Sequence, residues 1–149
     1  MRIDCRRKQS GSMRVGGGST TAFGFGTAIR QGMANFNADV EYDSSVGTES
    51  KPSNIWIGRT VEVGSYAPNA YGLYDMHGNV WEWCSDWYGD YPAGSVIDPQ
   101  GPSTGFFRAI RGGSWFISGG RCRGAIRGNY GPGSKSFDLG FRVVLAPVR

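Results

Sequence analysis

The sequence has one histidine, His77, and three cysteines, Cys5, Cys84 and Cys122, in 149 residues. A lone histidine excludes a site built from several imidazoles within one chain; its expected role is to cap a turn. The cysteines match no metal-finger spacing and leave one over from any single disulfide, so no disulfide framework can be inferred. No stretch approaches the roughly 18 apolar residues of a membrane-spanning helix. No apolar run of signal-peptide length follows Arg2, Asp4, Arg6, Arg7 and Lys8. No membrane partner is expected, and the location is cytoplasmic by default. Lysine is scarce as well, since 13 of the 16 positive charges are arginines. They are scattered through glycine-rich turns and apolar strands, without the clustered lysines and stacking aromatics of a nucleic-acid interface, so no nucleic-acid partner is expected.

Glycine and aromatic rings are what the chain has in plenty. The 25 glycines and 7 prolines make up about a fifth of it, against roughly an eighth on average, while 13% aromatic residues is too many for a disordered chain. This mixture predicts a loop-rich domain pinned by buried rings, with Trp81, Trp83, Trp87 and Trp115 mostly in the core. Net charge is +4 but unevenly spread: residues 1–30 carry +5, 31–100 carry −8 and 101–149 carry +7. The arginines are therefore expected to pair with carboxylates of the acidic middle.

Along the chain, residues 1–22 lack periodicity and read as an irregular N-terminal arm, leaving 23–149 as the domain. Residues 32–37 read as a turn and 39–43 as an acidic loop. Alternation over 60–66 predicts a short strand. A turn or short helix is expected over 75–78, then a strand from Val80, two short strands over 106–116 broken at Gly112-Gly113, and a last strand over 139–148. No strand–loop–helix context or Lys-Ser/Thr accompanies the glycine pair, so it reads as a bulge or close backbone approach rather than a phosphate loop.

Residues 69–88 read Asn-Ala-Tyr-Gly-Leu-Tyr-Asp-Met-His-Gly-Asn-Val-Trp-Glu-Trp-Cys-Ser-Asp-Trp-Tyr. After them come Asp98-Pro-Gln-Gly-Pro102, Arg111-Gly-Gly-Ser-Trp115, Cys122-Arg123, Arg127 and Leu139-Gly-Phe-Arg-Val143. In this order the motifs resemble the formylglycine-generating enzyme, or sulfatase-modifying factor, family, densely over 67–149 and loosely over 31–66. The resemblance implies an α+β, loop-rich variant of the C-type lectin fold, of which this chain would be the C-terminal part. In that fold the terminal strands pair, so the last strand is expected to find a partner in residues 1–15 or in a second copy of the chain, a homo-oligomer through an unpaired strand edge.

The resemblance also implies a calcium ion held by the side chains of Asp75 and Glu82 and the carbonyls of Gly78 and Val80, a set of oxygens that suits calcium. Read from the residues alone, Glu82 could equally pair with a buried arginine such as Arg111 or Arg142. A second calcium site would draw on Asn35, the Phe36 carbonyl and an acid from 39–43.

In active members of the family, two cysteines, placed three and eight residues after the serine of the Arg-Gly-Gly-Ser-Trp motif, bind copper(I) and oxidise a substrate cysteine. Here those positions are Ile117 and Cys122. Isoleucine offers no thiolate to a soft metal. Copper is therefore not expected, and Cys122 is a catalytic candidate only if the chain is an enzyme after all. With the redox pair lost, the resemblance points to a binding or display module like the variable proteins of diversity-generating retroelements, with a protein or peptide as ligand. The fixed motifs would be scaffold and the runs between them the contact surface: Phe116, Ile117, Ser118, Gly119, Gly120 and Arg121, then Gly124 and Ile126, then Asn129 and Tyr130, then Ser136 and Phe137. Many of these are the Tyr, Ser, Gly and Asn of adaptable binding loops.

Overall fold

The structure is a computed structural model that describes residues 20–39, 41–50, 56–90 and 101–143. Its largest regular element is β4, Trp81–Trp87, in a four-stranded sheet of order β6-β5-β4-β7 with β5 at Arg108–Arg111, β6 at Gly128–Tyr130 and β7 at Leu139–Gly140. β4 runs antiparallel to β5 and parallel to β7. A smaller antiparallel sheet joins β1 (Ala28–Ile29), β2 (Glu41–Asp43) and β3 (Thr48–Ser50). The helical content among the described residues is one 3-10 turn, Gly119–Cys122.

β4 buries the face that apolar patterning would turn outward. Glu82, Cys84 and Asp86 are buried while Trp83 and Trp87 are half-buried. The exposed flanks of these indoles are covered from neighbouring strands instead: the Arg108 guanidinium lies 3.5 Å from the centre of the Trp87 ring, and Trp83 meets Tyr130 edge-on at 6.3 Å. Of the four tryptophans expected in the core, only Trp81 is fully buried. Cys84 is disulfide-bonded, a pairing that the count of three cysteines left open.

The apolar core lies between the small sheet and the 3-10 turn, where Phe23, Ile29, Ala34, Phe36, Ala38 and Cys122 form one cluster, flanked by Ala22, Tyr42 and Ile117. Nine polar or charged residues are buried beside eleven apolar ones among the described residues, so hydrogen bonding must hold much of the interior together. Ser114, wholly buried, donates to Asp138 Oδ2 at 2.9 Å, and the Asp138 carbonyl accepts from Trp81 N at 2.8 Å. His77 bridges two distant segments: Gly24 N donates to Nε2 at 2.9 Å, which leaves the proton on Nδ1 to bond the Cys122 carbonyl at 2.8 Å.

Three expected strands are absent or shorter. Residues 60–66 form none, because their backbone bonds to side chains: Val61 N to Asn79 Oδ1 at 3.0 Å and Gly64 N to Asp75 Oδ2 at 2.6 Å. No second strand follows Gly112-Gly113, where φ values of 93° and 80° turn the chain so that Gly113 backs onto Cys122; a Cβ there would lie 2.6 Å from its sulfur. The last strand is described for two residues, Leu139–Gly140; 144–148 and the arm residues 1–15 expected to pair with it lie outside the described residues. The acidic loop is partly ordered as β2.

Two of the arginines pair with carboxylates of the acidic middle, Arg30 with Glu41 and Asp43 and Arg142 with Glu82. Others also serve the main chain: Arg111 donates to the carbonyls of Gly124 and Ile126, and Arg123 and Arg127 to those of Gly120 and Gly89. Glycine-rich loops leave carbonyls unpaired by secondary structure, and a fork of fixed donors satisfies several at once.

Candidate functional site

The segment from Asp75 to Val80 turns sharply: Asp75, Gly78 and Asn79 have φ values of 50°, 80° and 63°. Two non-glycine residues in this region are a local strain that the surroundings must hold. They are held by Asn79, whose Oδ1 accepts from Val61 N and from Asn35 Nδ2 at 3.1 Å, and by Asn79 N, which donates to the Asn35 carbonyl at 2.7 Å. The approach is so close that a Cβ on Gly78 would lie 2.2 Å from that carbonyl oxygen.

The turn brings Asp75, Gly78, Val80 and Glu82 to one cleft of about 390 Å³, which Arg142 also lines. Asp75 Oδ1 is buried without a hydrogen-bond partner, and a buried carboxylate oxygen left unpaired is costly enough to mark a place for a cation or water. The hydroxyl of Tyr66 is held above its usual pKa, by burial first and then by the negative charge of Asp75. Glu82, by contrast, is fully engaged: Arg142 Nε donates to both its oxygens at 2.8 Å. Among the described residues no three His, Cys, Asp or Glu side chains converge on one point, so any metal here would depend on carbonyl oxygens as well. Asp75 thus offers an unpaired oxygen of the kind calcium takes, while Glu82 already holds a cationic partner.

Asn35 and Phe36 line a separate cleft of about 530 Å³ with Glu41 and Arg30. Asn35 Oδ1 is again buried without a partner. Glu41 accepts from Gln31 N at 3.0 Å and Arg30 at 3.2 Å.

The surface run divides by burial. Phe116, Phe137, Arg121 and Asn129 are exposed. Gly119 and Gly120 are buried, Ile117 packs against the core cluster, and Ser118, Gly124, Ile126, Tyr130 and Ser136 are half-buried. Phe116 and Phe137 meet at 5.3 Å and both contact Trp115; Trp56 stacks on Trp115 at 5.8 Å and donates its indole N–H to the Trp115 carbonyl at 2.8 Å. Trp56 was not foreseen as part of this surface, because it stands alone in an irregular stretch with no motif around it. Cys122 is wholly buried, and burial pushes its thiol pKa up to about 12, so at neutral pH it stands as a protonated thiol.

Residues 14–147 match the family model of the sulfatase-modifying factor enzyme 1-like domain. The chain belongs to this family. It is 43% identical over 107 residues to the formylglycine-generating enzyme of Streptomyces coelicolor, covering 60% of this chain and 34% of that one. It is 41% identical over 109 residues to the serine/threonine-protein kinase pkn1 of Chlamydia pneumoniae, covering 70% of this chain and 18% of the kinase. It is also 38% identical over 93 residues to the inactive C-alpha-formylglycine-generating enzyme 2 of Mus musculus, covering 58% of this chain and 26% of that protein. The chain thus spans about a fifth to a third of the curated relatives it matches. Among solved structures, Treponema denticola variable protein 1 aligns with a TM-score of 0.53 and 47% identity, over 56% of this chain and 31% of that one. PvdO from Pseudomonas aeruginosa aligns with a TM-score of 0.64 and 25% identity, over 95% of this chain and 50% of that one. The fold is the sheet-rich, loop-dominated C-type lectin-like fold of this family.

Proposed function

We propose that this domain is a ligand-binding module on the formylglycine-generating-enzyme scaffold, stabilised by calcium, with its contact surface around Trp115. The exposed ring cluster carries this reading. Phe116 and Phe137 keep 49% and 66% of their surface in water while touching each other and Trp115, and contiguous exposed apolar rings mark interaction sites more than scattered ones do. Likeness to a variable protein supports display on these loops, and the name of the mouse relative supports a family that includes members without the parent activity. The ligand expected is a protein or peptide.

Calcium would be held by Asp75 and Glu82 with the carbonyls of Gly78 and Val80, and a second ion by Asn35, the Phe36 carbonyl and Glu41. The ion would join main-chain turns that carry little regular structure, stabilising the native state by mass action.

The competing reading is copper-dependent oxidation of a sulfatase cysteine. Against it stand Ile117 at one thiolate position and the protonated, inaccessible Cys122 at the other. Titration of copper(I) against a colorimetric chelator separates the two. The binding-module reading expects no more copper bound by the native protein than by Cys122→Ser; tight binding at one equivalent that Cys122→Ser abolishes would overturn it. A reverse-transcriptase gene beside this one, with a near-duplicate of the 3′ coding segment, is the genomic outcome expected if the surface is diversified.

A further inference from the structure

Among the described residues, Arg142 makes its hydrogen bonds with one short segment. Nε donates to both Glu82 oxygens at 2.8 Å, one terminal nitrogen reaches Glu82 again and the Asp75 carbonyl at 3.1 Å, and the other reaches the Tyr74 carbonyl at 3.0 Å. These acceptors belong to the residues, or their immediate neighbours, that would hold the calcium ion. The guanidinium lines the same cleft as Asp75, Gly78, Val80 and Glu82.

We propose that Arg142 is a built-in competitor of calcium: the guanidinium and the metal ion are alternative partners of Glu82, so that calcium binding releases Arg142, and with it residues 141–143, from the turn at 74–82. This rests on the calcium reading given above.

Charge balance sets the direction. The cleft is lined by two carboxylates, Asp75 and Glu82, and one cation, Arg142, so the pairing seen leaves one negative charge over, on the residue whose Oδ1 is buried without a partner. A divalent ion would neutralise both carboxylates, whereas a guanidinium and a divalent ion side by side on Glu82 repel each other in a half-buried site, where screening is weak.

The mechanical consequence follows from what Arg142 tethers. Beyond β7, residues 141–143 have no regular structure, and Phe141 and Val143 are 66% and 48% exposed. Arg142 is their anchor to the 74–75 carbonyls and to Glu82. By linkage, whatever holds this segment down weakens calcium binding by the same factor that calcium weakens the segment's hold.

Calorimetric titration of calcium chloride into the full chain, as wild type, Arg142→Gln and Asp75→Asn, tests the competition. Arg142→Gln is expected to bind calcium roughly tenfold more tightly, within the range of typical coupling between sites, and Asp75→Asn to lose binding. Equal affinity of wild type and Arg142→Gln would sink the competition and leave the calcium reading standing. Weaker binding by Arg142→Gln would mean that the guanidinium positions Glu82 for the ion, again overturning the competition alone. Absence of binding in both would remove the calcium reading and the competition with it. A second measurement needs no variant: brief trypsin digestion of the wild type, with mass spectrometry of the peptide ending at Arg142. Cleavage there is expected to speed up severalfold in saturating calcium and not in magnesium; an unchanged rate with calcium bound overturns the release.

Discussion

At Cys122 burial alone determines what the sulfur can do. The side chain has no exposed surface, Gly113 lies against it, and its pKa rises from 9.0 to about 12. Such a thiol favours the folded state in its protonated form. Its contribution is whole below pH 9.0, and declines as pH rises from there through about 12. Alkaline unfolding monitored by tryptophan fluorescence should therefore shift to higher pH in Cys122→Ala relative to the midpoint expected from its neutral-pH stability. Iodoacetamide at pH 8 should modify Cys122 on the order of a hundredfold more slowly in the native protein than in denaturant, because both thiolate and access are missing. Comparable rates would show that the thiol is reachable, and would reopen the oxidase reading. The sequence marked this position as special through its motif, but the burial that quiets it comes from the cluster around Phe23, Ile29 and Phe36 and from the close approach of Gly113, whose positive φ is a property of the backbone and not of any pattern in composition.

Among the elements, the most informative is a strand that does not form. Residues 60–66 alternate as a strand should, yet their donors go to Asn79 and Asp75, and Asn79 in turn donates to the Val61 carbonyl at 3.3 Å. Asn79→Gly keeps the backbone free to hold φ of 63° while removing these bonds, and should cost about 1–3 kcal/mol. Asn79→Ala should cost roughly 1–2 kcal/mol more, for the side chain forced into the left-handed region. Chemical denaturation gives both values, and amide exchange at Val61 should lose its protection in either variant; retained protection would show that another acceptor holds the segment. The sequence made β4 legible because Val80–Trp87 combines β-branched and aromatic residues, and β7 because Leu-Gly-Phe-Arg follows a turn. It did not reveal that 60–66 would be claimed by side chains 11 to 18 positions on, since no periodicity encodes a long-range bond between a backbone N–H and an asparagine or aspartate. The same limit explains the arginines: their number was plain, but which carbonyls and carboxylates each one reaches depends on which loops end beside it.

For the molecule as a whole, display requires that the contact residues be separable from the residues that hold the fold, and burial divides them within single runs. Phe116, Arg121, Asn129 and Phe137 are exposed, whereas Gly119 and Gly120 are buried and Ile117 packs on the cluster around Phe23, Ile29 and Phe36. The Ile117 carbonyl accepts from Asn37 N at 2.9 Å, tying this run to the small-sheet half of the domain. Alternation between exposed and buried neighbours lets a loop without regular structure carry both tasks, provided its fixed positions stay fixed. Substitution to alanine at Phe116, Arg121, Asn129 or Phe137 should therefore change stability by less than about 1 kcal/mol, as surface changes usually do, although the two phenylalanines also give up ring contacts with each other and with Trp115. Ile117→Ala should cost about 1–3 kcal/mol for its lost packing, and a side chain at Gly119 or Gly120 should cost about as much by overpacking. Thermal melts of the seven variants in saturating calcium would separate into these two groups. If instead Phe116 or Phe137 proved as costly as Ile117, the ring cluster would be a structural element of the domain, and the contact surface would have to be sought at Arg121 and Asn129.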